Sequence, residues 1–446
     1  TSPPTVLDAQ RAPNDLVLFR NSDPTTVAGA SFSSTVNEPS AVRVGRVAFY
    51  TANWYAARST DGGATWALVN PFSGPFAAPA GQSFCCDQAV AQDPSTQTLF
   101  YLQQYSPSST TGTHRINVDQ GANGTFDCFY DITPQLVGFP SGRWFDFPDL
   151  VVSSGFLYHT SNTFTTPGGS FAGGYVGRYP LSQLSTCTPL TIDAFVDTGD
   201  GAFRLTRGAT DTMYFGTLET LTSMRIWTWP AASPTPTSVD RTVTAWLNNT
   251  RNCAGPGGVN WCGFIDFRPQ GAWVADGVVG FMWVPSENPG GGFPFPYTQV
   301  ARFNEVGLTF IDGPQIWASD RAMVYPSVAV NGNGDLGGTI MWGGGTFNPS
   351  CSVWVADDVN GDTLAPLESL ASILGTSGPS SARSGDYLFT NVNAPNDKIW
   401  AGSCFAYNST SRGTSRFALF GREGNGDLFN NGFESGNVSA WTAAFP

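Results

Sequence analysis

The chain has 446 residues, of which only 12% are Asp, Glu, Lys or Arg while 13% are aromatic, and it carries 51 Gly and 32 Pro. That composition excludes coiled coils and helical bundles, which need long charged Ala- and Leu-rich runs, and an apolar content of 41% excludes a disordered chain. The net charge of −13 argues against nucleic acid and anionic membrane surfaces as partners, and no stretch approaches the roughly 18 consecutive apolar residues of a membrane span.

The chain begins at Thr1 rather than Met, which fits a mature secreted protein whose signal peptide has been removed. The first strand pattern is DLVLFR at residues 15–20, and it has no partner of its own. A unit then recurs: a small or charged residue, a short apolar run, a Gly/Asn/Asp turn and a second apolar or aromatic run. It reads EPSAVRVGRVAFYTAN from Glu38, CDQAVAQDPSTQTLFYLQQY from Cys86, DFPDLVVSSGFLYHTSN from Asp146 and FRLTRGATDTMYFGT from Phe203, the weakest copy. FRPQGAWVADGVVGFMW follows from Phe267, YPSVAVNGNGDLGGTIMW from Tyr325 and GDYLFTNVNAPNDKIWAGSCFAY from Gly385. Between the landmarks Pro39 and Asp386 the spacing averages about 58 residues per copy.

Each copy holds two strands joined by a hairpin, and the remaining length suits two more. Seven four-stranded antiparallel units predict an all-β, seven-bladed β-propeller over residues 1–422, with six or eight blades as alternatives. A last strand, RFALFGR at residues 416–422, lacks an outer neighbour, so the N-terminal strand is expected to complete the last blade and close the ring. Residues 423–446 fall outside the repeat and are expected to form an appended tail.

Eight Cys (85, 86, 128, 187, 253, 262, 351 and 404) form an even set without paired C-x-x-C motifs. Disulfides in an oxidising compartment are expected, with Cys253 and Cys262, which bracket CAGPGGVNWC, as the local pair.

The most specific motif is STDGGATW at residues 59–66. Its Asp and hydroxyls suit backbone N–H groups, its Gly residues suit φ > 0, and its Trp suits a blade core. The string resembles the Asp box, S-x-D-x-G-x-T-W, also called the BNR repeat, of the sialidase-like propeller superfamily, here of a secreted bacterial type. The resemblance implies an extracellular propeller that cleaves, eliminates or merely binds glycans. The F-R-I-P signature of sialidases proper is absent, since Phe19 and Arg20 are followed by Asn21 and Ser22.

Propeller sites usually form where the inner strands begin, and in so charge-poor a chain the ionisable residues at those starts stand out. They include Glu38, Asp87, Asp146, Asp149, Arg204, Asp266, Arg268, Tyr325, Arg383 and Asp386. For hydrolysis, Asp146 and Asp266 are the expected acid and base or nucleophile, with Tyr325 as an alternative. Glu38, Asp87, Arg204, Arg268, Arg383 and Asp386 are the expected substrate contacts, the arginines suiting a carboxylate or sulfate on the sugar. For β-elimination, Tyr325 or His159 would act as base beside Arg268. The expected partner is an extracellular glycan engaged by a monomer that acts as a glycoside hydrolase or polysaccharide lyase, the alternative being a non-catalytic glycan-binding or surface-interaction propeller.

No cofactor is required by this chemistry and no metal ligand is assigned. The strings NGNGD at 331–335 and DVNGD at 358–362 carry oxygen ligands suited to structural calcium, but they lack the downstream Glu of an EF-hand loop and turn chemistry alone explains them. Trp227, Trp229, Trp273, Trp283, Phe293 and Phe295 could stack on sugar, although propeller aromatics are expected mainly to fill the wedges between blades; the long Pro/Gly-rich loop at 285–297 is the exception, a candidate functional loop.

Overall fold

The computed structural model describes residues 12–426. They form seven antiparallel sheets, five of four strands and two with a fifth short strand, arranged as a β-propeller. The inner strands are Ser40–Val44, Phe84–Asp93, Arg143–Ser153, Arg204–Leu205, Gly271–Ala275, Ala329–Val330 and Thr390–Val392. Each overlaps one of the seven sequence copies, in order, with the second and third starting two and three residues ahead of their copies, so the repeat is the inner half of a blade. The hairpins follow from turn chemistry: Ser154-Gly155 in the third blade and Asp276-Gly277 in the fifth have positive φ at both central residues. That geometry matches the right-handed twist of the strands it joins.

Aromatic residues fill the wedges between blades. Trp227 and Trp229 of the fourth blade are buried with Phe203, Phe215 and the third blade's Tyr158, and Phe215 stacks on Trp227 with ring centroids 5.4 Å apart. Trp273 packs with Trp354 between the fifth and sixth blades, and Trp283 is fully buried. These four tryptophans are core, as expected of propeller aromatics that fill the wedges, and not sugar-stacking surface: packing large rings against a neighbouring sheet removes their apolar surface from water.

The ring closes as the two ends of the sequence suggested. Strand Leu16–Ser22 pairs antiparallel with Gly413–Arg422, from Leu16 opposite Arg422 to Ser22 opposite Phe417, as the outermost strand of the seventh blade. Arg422, itself buried, chelates Asp357 of the sixth blade with two bonds of 2.7 Å and Glu368 at 2.6 and 2.7 Å. On the other side the 59–66 turn docks the first blade on the seventh. Asp61 accepts from the backbone N–H of Ala64 and Thr65 and from the Thr65 hydroxyl, Ser59 Oγ accepts from Gly63 N, and Gly62 and Gly63 have positive φ. The Trp66 ring lies 5.2 Å from that of Phe417 and donates its Nε1–H to Ser22 Oγ at 3.0 Å.

Three disulfides are present: Cys253–Cys262 as expected, Cys128–Cys187, and the adjacent pair Cys85–Cys86. Cys351 and Cys404 are buried free thiols, so six of the even set of eight Cys are paired. Of the expected tail, Glu423–Asn425 form a single 3₁₀ turn, and residues 427–446 lie outside the described residues. Among the described residues no helix is long and apolar enough to cross a membrane.

Candidate functional site

The site originates in a local break of the third blade's inner strand. Asp146 and Asp149 are three residues apart, but the pairing with the second strand shifts register between them and Phe147 has φ of 61°. The bulge separates the two carboxylates in space. Asp149 turns into the channel wall, where Arg207 grips it with bonds of 2.8 and 2.7 Å, Arg204 lies 3.4 Å away and Leu205 donates its N–H. Burial works to raise this carboxyl, but the two guanidinium groups outweigh it and hold it below the ordinary range.

Contacts between non-adjacent blades mark the centre of the ring. Phe147 of the third blade meets Tyr387 of the seventh at 5.7 Å, and Tyr387 meets Phe389 at 4.8 Å. The guanidinium groups of Arg204 and Arg268 lie 5.1 and 4.0 Å from the centre of the Phe147 ring. This aromatic and arginine layer plugs the channel.

Beside the plug opens a cavity of about 600 Å³ whose walls come from the third, fourth, fifth and seventh blades. Asp146, Asp266, Arg268, Arg383 and Asp386 all line it. Arg268 binds Asp266 at 2.6 Å and reaches across to Asp386 at 3.2 Å; Arg383 lies 3.4 Å from Asp386 and 4.0 Å from Glu38. Desolvation would lower Arg268, but Asp266 and Asp386 more than offset it and keep the guanidinium charged. Asp146 behaves differently. Burial pushes its carboxyl up, Gln104 donating at 3.2 Å works against that, and the charge of Asp386 adds to the rise. The cavity thus sets one carboxyl biased toward its protonated form near carboxylates tied to arginine, an arrangement able to give a proton on one side and accept one on the other.

Glu38 and Asp87 are buried neighbours behind Arg383 and have no surface on the cavity. Burial and the charge of Asp386 push Glu38 up to about 7, and burial with the charge of Glu38 pushes Asp87 well above the carboxylate range. Asn53 donates to Glu38 at 2.7 Å, and Asp87 accepts the Phe147 N–H at 3.2 Å. The structure does not bring Arg204 or Tyr325 to the cavity either. Arg204 is 1% exposed, bound to Asp149 and to the carbonyl of Pro269, and burial draws it down to about 10. Tyr325, also 1% exposed, donates its hydroxyl to the Gly385 carbonyl at 2.7 Å.

His159 is likewise enclosed. It shares a 3.0 Å hydrogen bond with His114 and meets the Tyr175 hydroxyl at 2.7 Å. Burial presses it down to about 3 and holds His114 well below the usual imidazole value. His114 in turn contacts Gln104 at 3.4 Å, so the chain's two histidines back the residue that holds Asp146.

Sequence reasoning missed the aromatic rim. Phe171, Phe264 and Phe267 line the cavity at 47%, 55% and 41% exposure. It also missed Asp200 and Glu219, which line the cavity and share Arg225 at 2.6 and 3.4 Å. Phe267 opens the fifth copy and Phe264 follows a half-cystine by two residues; both sit outside regular strands, the one available signal that they are not blade core. The 285–297 loop contributes no residue to this cavity: Phe293 stacks on Tyr297 at 4.2 Å and meets Trp317 edge-on at 5.6 Å. In the two strings considered for calcium, Asn331 Oδ1 accepts from the N–H of Asn333 and Asp335, and Asn360 Oδ1 from that of Asp357, as in ordinary turns. Among the described residues no group of three or more His, Cys, Asp or Glu is placed to hold a metal ion.

No protein-family model matches the sequence, and no curated protein matches it. Solved structures similar to the chain include an α-L-arabinofuranosidase of Fusarium graminearum bound to an iminosugar inhibitor, at 10% identity over 90% of this chain and 97% of that one, with a TM-score of 0.41. An α-L-arabinanase of Penicillium chrysogenum with arabinobiose is similar at 10% identity over 90% and 97%, with a TM-score of 0.37. A protein of unknown function from Dyadobacter fermentans is similar at 10% identity over 91% and 99%, with a TM-score of 0.45.

Proposed function

We propose that the chain is an extracellular propeller that binds a glycan in the funnel cavity and hydrolyses it there. The observation that carries this reading is the pairing of Asp146, whose burial favours the protonated carboxyl, with the arginine-tied carboxylates Asp266 and Asp386 across one cavity rimmed by exposed phenylalanines. Asp146 would protonate the leaving glycosidic oxygen, and Asp266 would act as base or nucleophile on the opposite face. The rings of Phe171, Phe264 and Phe267 would stack on the apolar faces of sugar rings. Three disulfides suit an oxidising, extracellular setting, and the 59–66 turn keeps the Asp-box pattern of propellers that act on extracellular glycans.

Binding without catalysis is the second reading, favoured by one observation: Asp266 and Asp386 are both engaged by Arg268. β-Elimination loses its proposed bases, because Tyr325 and His159 are enclosed. Incubation of the protein with a set of plant and microbial polysaccharides, followed by assays for new reducing ends and for unsaturated ends, separates the three. Hydrolysis gives reducing ends alone, elimination gives both, and neither signal from a glycan that binds supports the second reading.

A further inference from the structure

The funnel cavity does not end at the fourth blade. A second cavity of about 330 Å³ continues from it over that blade, and the two share Leu218, Glu219 and Phe267. The shelf beyond Phe267 is made by Leu221, 44% exposed, with Trp246 beneath and Asn248 at its edge. The track thus presents apolar surface, interrupted by an amide and hydroxyl-bearing residues, on both sides of an exposed ring.

The charges along the track decide what it accepts. Five carboxylates line the main cavity, Asp146, Asp200, Glu219, Asp266 and Asp386, against two guanidinium groups. Both of those are already in ion pairs, Arg268 with Asp266 and Asp386, and Arg383 with Asp386; the nearby Arg225 is held by Asp200, Glu219 and Asp240. An anionic sugar would lose its hydration and meet carboxylates in return. A cationic sugar would have to compete with arginines already bridging those same carboxylates.

Resting on the glycan reading of the funnel, we infer that the ligand is an uncharged oligosaccharide chain that enters the funnel cavity at one end and lies across Phe267 onto the Leu221–Asn248 shelf at the other. The arginines are internal counter-ions for the cavity's own acids and not receptors for a uronate, sialate or sulfate.

Calorimetric titration of the whole protein tests this with three sets of probes. They are neutral xylo-, manno-, arabino- and cello-oligosaccharides of one to six units, galacturonan oligomers with sialyllactose, and chitosan oligomers. The expected result is binding confined to the neutral set, with at least a tenfold gain in affinity from the shortest to the longest binder. In Leu221→Ser and Asn248→Ala, each an exposed position whose folding is checked by circular dichroism, the ratio of long- to short-chain affinity collapses toward one. Binding of an anionic or cationic member as tightly as the neutral ones overturns the charge assignment, and an affinity independent of chain length overturns the shelf. Failure of every glycan to bind instead contradicts the reading of the funnel itself.

Discussion

Replacing Glu38 with Gln isolates how a buried carboxyl beside the funnel couples to stability. Glu38 is 1% exposed, and burial with the charge of Asp386 moves its pKa from 4.5 to about 7 in the folded protein. The facing groups are Asp87, Asp386, Arg383 and the Asn53 amide. A carboxyl raised on folding contributes its full stability below its unfolded value and loses it as pH climbs through the folded value. Between pH 5 and pH 8 the loss is about 2 to 3 kcal/mol. His114 and His159 move the opposite way: burial holds both below the usual imidazole value, so their contribution is complete above about 6.5 and fades on acidification. The raw pH profile of the wild type therefore mixes opposing trends, and its difference from Glu38→Gln is the diagnostic quantity; Asp87, raised in part by the charge of Glu38, is raised less in the variant and works in the same direction as the loss of Glu38 itself. Glutamine keeps the shape and an acceptor for Asn53 but does not titrate. Urea unfolding at pH 5 and pH 8 should show the variant gaining about 2 to 3 kcal/mol on the wild type at the higher pH. A difference between the two proteins that is the same at both pH values would refute the burial argument.

Other consequences follow from the same geometry. Arg422→Ala leaves Asp357 buried without its partner and should lower stability by about 3 to 5 kcal/mol, seen as a fall in denaturant midpoint; an unchanged midpoint would show that the ring is not closed through this residue. Asp61→Ala removes the acceptor for two backbone amides and two hydroxyls and should cost about 1 to 3 kcal/mol. Hydrogen bonds to the 59–66 turn hold Asp61 at about 2 against the pull of burial, so its contribution is present above the unfolded value near 4 and is lost as pH falls toward 2; the variant's acid limb should be correspondingly shallower. If Asp146 acts as the proton donor, turnover should decline as pH rises through its elevated pKa, and a rate that rises over the same range would assign it the role of base.

The fold was readable in the sequence because its signals are local. Turn pairs such as Ser154-Gly155 and Asp276-Gly277, each flanked by apolar runs, mark the inner hairpins one at a time, and the unpartnered strand at 15–20 matches the lone outer edge left by residues 416–422. The site was readable only in part because its chemistry depends on which residue faces which across the ring. Asp146 and Asp149 share one short string, yet a single bulge sends one to the cavity and the other into an arginine clamp. Arg204 and Arg268 look equivalent at the starts of neighbouring blades, but Arg204 is locked within the plug against Asp149 while Arg268 spans to the seventh blade. Trp227 fills a wedge inside its strand, as propeller aromatics are expected to, whereas Phe267 sits in a loop and stays exposed, a difference that ring size alone does not reveal.

Asp146 is the residue on which the proposed hydrolysis depends most directly. The decisive measurement compares wild type and Asp146→Asn on the neutral oligosaccharide that binds best, reading new reducing ends in the same samples used for titration calorimetry. Asparagine keeps the side chain's size and its contact with Gln104 but has no proton to give, so release should fall by at least about a hundredfold while affinity changes only a few-fold. Equal release by the two proteins would contradict the assignment of the funnel as the reaction site.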